Sequence, residues 1–153
     1  MKTVSIAAVI CVMTVVSAVA GEKIPAAQLT EPLVYTNAQG ATIPYRFTAP
    51  KAVEAGKKYP LVILFHGAGE RGTNNVAQLV HGATDILNYM RERGIEGYFI
   101  AGQCPAGRQW VDTPWSLMAH RMPAKPSESM ALMIELIEET DRKSTRLNSS
   151  HVD

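Results

Sequence analysis

The sequence predicts an α/β fold with a mostly parallel sheet and an antiparallel hairpin at the sheet edge, on three observations. Residues 61–65, Leu-Val-Ile-Leu-Phe, are five consecutive apolar residues, the pattern of a strand buried on both faces. Ile43, Tyr45 and Phe47 alternate with the two-residue period of a strand that has one solvated face. Two later segments, 76–90 and 130–137, repeat apolar residues at the spacing of one helical face.

The two ends of the 153-residue chain stand apart from that fold. Lys2 precedes an apolar stretch at 4–16, and Ala18-Val19-Ala20 before Gly21 has the small-x-small form of a signal-peptidase site. Residues 1–20 therefore read as a signal peptide, and the mature protein as secreted or periplasmic. The apolar stretch is shorter than the ~20 residues of a membrane span, so no membrane association is expected after cleavage. At the other end, residues 141–151, DRKSTRLNSSH, read as the literal translation of a common sequencing-adapter oligonucleotide. Residues 141–153 are accordingly expected to be a non-native, disordered tail.

Between them lie residues 21–140. Without Lys2, Arg142, Lys143 and Arg146 the fifteen basic residues become eleven, and without Asp141 and Asp153 the fourteen acidic ones become twelve. A net charge near zero, with no basic stripe, argues against a nucleic-acid partner. Cys104 alone remains of the two cysteines once Cys11 leaves with the leader, so no disulfide can close within this segment. Its place after an apolar strand suits a buried thiol. His66, His81 and His120 lack paired ligand spacing, so neither a metal nor another cofactor is expected.

In chain order, 21–30 is a polar lead-in. Strands at 33–36 and 43–48 flank Asn37-Ala-Gln-Gly40 and form the edge hairpin, and a charged connection at 50–60 leads to the strand at 61–65. Val76, Leu79, Val80, Ala83, Leu87 and Met90 define a helix ending near Gly94, weakened by Gly82 by up to ~1 kcal/mol. A short strand follows at 98–101. Residues 105–126 hold four prolines and two tryptophans, too irregular for an element. Ser127 then caps a helix with Met130, Met133, Ile134 and Ile137 on one face.

The chemistry concentrates between the third strand and the first long helix. His66 is followed by Gly67, Gly69 and Gly72 within six positions, a density that permits positive φ and lets a ligand approach peptide N–H groups. A developing oxyanion is one such ligand; a tight strand-to-helix turn with no ligand is the alternative. His66 reads as structural, its ring bonded to loop backbone. Glu70 and Arg71 either support the turn or are solvated. Asp112, Ser116 and His120 do not read as a triad, since a proline-broken loop cannot hold a serine rigidly against a base. Trp110 and Trp115 either wall the acyl or aromatic part of a substrate or cover the sheet edge.

The runs YPLVILFHGAGERG, NNVAQLVHGATDIL, QCPAGRQWVDTPW and PSESMALMIELIEE resemble secreted α/β-hydrolases of the phospholipase/carboxylesterase and predicted-peptidase type, related to dienelactone hydrolase and polyhydroxybutyrate depolymerase. The resemblance covers roughly 33–139. It implies a truncated α/β-hydrolase fold, the N-terminal half of the sheet, and an oxyanion hole to which Ala68 contributes its N–H with Gly69 beside it. His66, Gly67 and Gly72 would build that turn. The nucleophile is missing: no Gly-x-Ser-x-Gly occurs, and the acid and base that follow it in this family are missing too. The resemblance therefore implies a fragment of an exported serine hydrolase that cleaves small-molecule carboxylic esters or peptides through an acyl-enzyme, inactive as it stands. A non-catalytic secreted module that binds glycans through the Trp110/Trp115 loop is the alternative, and a short structural or decoy protein is a third reading.

Overall fold

The computed structural model describes residues 22–114 and 116–149, the side chains of the last five excepted. The expected signal peptide at 1–20, Trp115 and the last four residues lie outside the described residues. Four strands, β1 (Glu31–Thr36), β2 (Thr42–Thr48), β3 (Leu61–Leu64) and β4 (Tyr98–Gly102), form one sheet in the order β1-β2-β4-β3. β1 pairs antiparallel with β2, β2 antiparallel with β4, and β4 parallel with β3. Helices α1 (Ala26–Leu29), α2 (Ala83–Glu92) and α3 (Glu128–Ser149) complete an α/β fold with the expected edge hairpin.

The sheet is covered on both faces, and β4 carries the cover. Its five residues are all buried. Phe99 and Ala101 pack with Leu79, Ala83, Leu87 and Ala26 on the α1/α2 side, while Ile100 packs with Ile43, Leu132, Met133 and Leu136 on the α3 side. α3 approaches so closely that a Cβ on Gly102 would lie 2.3 Å from Met133 Sδ. The five-residue apolar run is, by contrast, not the buried centre. β3 ends at Leu64, its four residues are half-buried, and Phe65 is 41% exposed. The reason is position: β3 is the outer strand of the described sheet, so only one of its edges is paired.

β2 has no solvated face either. Ile43 points to the α3 side, but Arg46 on the opposite face is 5% exposed, donating from Nε to Thr30 Oγ1 at 3.1 Å and from Nη2 to the Ala27 carbonyl at 2.8 Å. Burial pushes its guanidinium below the ordinary arginine pKa. The lead-in supplies this cover: it folds into α1 and is pinned to α2, where Asn88 accepts from Ile24 N–H at 3.0 Å and donates back to Ile24 O at 2.8 Å.

The first long helix is shorter than its apolar spacing suggests. Gly82 adopts φ +81°, which breaks the periodic run into a 3-10 turn, Ala77–Leu79, and α2. Leu79, Ala83, Leu87 and Met90 are buried as expected, whereas Val76 and Val80, before the break, are 51% and 66% exposed. In α3 the buried face is Leu132, Met133 and Leu136, and Ile134 is exposed. The true stripe also includes the small, buried Ser129, which a search for large apolar residues passes over.

Ser127 caps α3 as expected, its Oγ accepting from Met130 N–H at 3.1 Å while donating to Trp110 O at 2.8 Å. Ser127→Ala is therefore expected to destabilise the protein by about 1–2 kcal/mol, read as a lower denaturation midpoint at unchanged slope; an unchanged midpoint would refute the cap. The tail expected to be disordered is helical as far as Ser149. Residues 127–149 hold no glycine or proline, and Glu139 pairs with Lys143 one turn on. Helix propensity acts on whatever residues follow a formed helix, independent of their origin.

Candidate active site

β3 delivers the chain to an exposed turn, residues 67–69, that follows the buried His66. His66 Nε2 lies 2.9 Å from the Cys104 N–H, a donor, so Nε2 must accept. The proton then sits on Nδ1, which donates to Gly67 O at 2.6 Å. Trp110 Nε1–H closes the arrangement by donating to His66 O at 3.0 Å. Both ring nitrogens are occupied, so His66 is a structural residue and not a free base, as its position at the strand end suggested.

That clamp orients the next peptide. In a trans peptide the C=O and N–H point in opposite directions, so holding Gly67 O against His66 turns Ala68 N–H to the other side. Ala68 opens a 3-10 turn, Ala68–Glu70, and the first N–H of a helical turn has no partner inside it. The glycines around it act differently from one another. Gly67 has φ −80°, and a Cβ there would meet Glu70 Oε2 at 3.1 Å. Gly69 has open space where a Cβ would stand, and Gly72 alone of the three takes a positive φ, +153°.

The turn is held from behind by the end of β4. Gly72 N–H donates to Cys104 O at 2.9 Å. The fully buried Gln103 donates from Nε2 to Glu70 O at 3.0 Å and to Asn74 Oδ1 at 2.9 Å, and accepts at Oε1 from Asn75 N–H at 2.6 Å. Asn75, at φ +54°, donates from Nδ2 to Leu33 O and Tyr45 O, tying the same loop to the edge hairpin. None of these three amides stood out in the sequence. The available signal was an Asn-Asn pair after a glycine turn, since asparagine tolerates the left-handed region and substitutes for backbone partners.

Glu70 is half-buried beside the turn, with Oε1 3.4 Å from His81 Nε2 and Oε2 4.0 Å from His66 Nδ1, and among the described residues its side chain makes no hydrogen bond to the turn. Arg71 lines a cavity of about 550 Å³ together with His66, Gly67, Ala68, Trp110, Val111, Met122 and Arg121. Trp110 lines this cavity and packs edge-on against Phe65 and His66 with ring centroids 5.0 and 5.2 Å apart. Asp112, Ser116 and His120 make no triad: His120 Nε2 lies 3.2 Å from Pro114 O, and no described serine hydrogen-bonds a histidine. Cys104 is buried, its Sγ 3.4 Å from Ser129 Oγ. Among the described residues no group of three or more His, Cys, Asp or Glu could hold a metal ion, and no helix is long and apolar enough to cross a membrane.

No protein-family model matches the chain, and no curated protein does. Among solved structures it is similar to a thermostable esterase, with 29% identity and a TM-score of 0.56 over 72% of this chain and 29% of that one. A ferulic acid esterase of family CE1 from Anaeromyces mucronatus, in complex with ferulic acid, shares 17% identity at a TM-score of 0.38 over 74% of this chain and 41% of that one. The architecture is that of the α/β-hydrolases, and the likeness is to esterases. The chain spans less than half the length of either structure.

Proposed function

We propose that this chain is part of an exported serine carboxylesterase and carries one half of its oxyanion hole, the N–H of Ala68, with Gly69 leaving the approach open. The observation that supports the reading is the His66 clamp on Gly67 O beside a cavity that Ala68 lines. A preorganised donor of this kind stabilises the oxyanion of a tetrahedral intermediate. The nucleophile, acid and base lie outside this chain in this reading. A parallel strand added at the outer edge of β3 would end beside Ala68, and α/β sheets place their sites at the carboxyl ends of such strands. Residues 1–20 are the export signal and 141–153 replace native sequence.

Reading the gene past the codon for Glu139 tests this. The expected continuation holds a Gly-x-Ser-x-Gly elbow, then an acid, then a late histidine. The extended, secreted product is expected to begin at Gly21 by intact mass and to hydrolyse short-chain aryl esters with an acyl-enzyme burst. The 153-residue chain is expected to show only background hydrolysis. A native stop codon soon after Glu139, with no elbow serine, would overturn the reading.

A further inference from the structure

The cavity beside Ala68 has an uneven chemistry. Its walls are apolar at Trp110, Val111 and Met122, yet two guanidinium groups, Arg71 and Arg121, line it as well. No aspartate or glutamate is among its lining residues. The nearest carboxylate in sequence, Glu70, is turned towards His66 and His81, and Glu128 pairs with Arg108 at 3.0 Å. Arg71 and Arg121 have no side-chain hydrogen bond or ion pair among the described residues. Among the described residues these two guanidinium groups line a cavity without a charged partner.

Arginine suits such a place. Its planar fork is weakly hydrated and takes a carboxylate in two parallel hydrogen bonds, and of the two Arg71 is half-buried while Arg121 is exposed at the cavity rim. Arg71 is half-buried and stands three residues after the Ala68 donor, so a molecule with its reacting carbonyl at Ala68 can reach it.

Resting on the esterase reading, we propose that the substrates of this site carry a free carboxylate on an apolar or aromatic body, with Arg71 and Arg121 binding that carboxylate while Trp110, Val111 and Met122 take the body.

The test uses the full 153-residue chain and a matched pair of probes, 3-phenylpropanoate and its neutral isostere 3-phenylpropanamide, titrated by calorimetry. The carboxylate is expected to bind about tenfold or more tightly than the amide, a difference of ~1.4 kcal/mol, and the advantage is expected to shrink as salt rises. Arg71→Gln and Arg121→Gln together are expected to reduce that advantage to about twofold or less while leaving the amide's affinity unchanged. Lys125→Gln, at an exposed residue outside the cavity lining, is expected to change nothing. Far-UV circular dichroism of each variant reports that the fold is retained; should Arg71→Gln fail to fold, Arg121→Gln alone is expected to lose part of the advantage. Equal affinity for the two probes, an advantage that survives both substitutions, or no binding of either probe would each overturn the proposal. The two readings fail separately: equal probe affinities alongside ester hydrolysis by the extended protein sink only the anion preference, whereas a frame without an elbow serine sinks the esterase reading and leaves the probe result standing as an anion site.

Discussion

In the extended esterase proposed above, Ala68→Pro is expected to lower kcat by about 10²–10³-fold with little change in KM, because in that reading it deletes one oxyanion donor and no ground-state contact. The structure makes this substitution unusually clean. Ala68 is the first residue of a 3-10 turn, a position where proline is favoured because its missing N–H was unpaired within the turn anyway. Gly67, the residue before it, already has φ −80° and ψ −170°, the extended conformation that a following proline demands. The His66 clamp on Gly67 O is likewise unaffected, since proline keeps that carbonyl. The variant should therefore melt within a few degrees of the parent, and turnover can be compared between two folded proteins. A folded Ala68→Pro enzyme with undiminished kcat would remove Ala68 from the mechanism.

The largest expected loss of stability comes from Gln103→Leu. Leucine fills the volume but strands the Asn75 N–H and the Glu70 carbonyl, both of which meet Gln103 in the partly buried layer behind the turn. Each orphaned group costs about 1–3 kcal/mol, so the combined loss is expected to be about 3 kcal/mol, seen as a fall in Tm on the order of 10 °C. Asn74 Oδ1 suffers less because it also accepts from the Val76 and Ala77 N–H groups. Gln103→Glu retains the shape and the acceptor for Asn75 but sets a carboxylate against the Glu70 carbonyl, so it is not expected to rescue. A Gln103→Leu protein within about 0.5 kcal/mol of the parent, the range of an ordinary surface change, would show that water satisfies these groups and that the turn does not depend on this side chain.

The Gln103 and Ala68 predictions also mark where reading along the chain stops being enough. Ala68 is a candidate from the turn motif and its resemblance, because glycine spacing and a strand end are local features. Gln103 is not, because its partners lie 28 to 33 residues away and meet it only when β4 slots beside β3. The same distinction separates His66, whose structural role follows from its place at a strand end, from the Cys104 N–H that decides its tautomer across 38 residues.

By itself the sequence determined the α/β class, the edge hairpin, a strand starting at Leu61, the Ser127 cap and the glycine turn, since each is written in a local period or in one residue's conformational preference. Only the tertiary structure decided which strand is central, why Arg46 is buried, where Gly82 breaks the helix, and that Trp110, Arg71 and Arg121 surround the same cavity as Ala68. Burial and partnership depend on what the chain brings alongside, and strand order, unlike strand periodicity, is a property of non-local pairing. β3 shows the limit most plainly: its apolar run specifies a strand, but its half-buried state follows from standing at the outer side of β4.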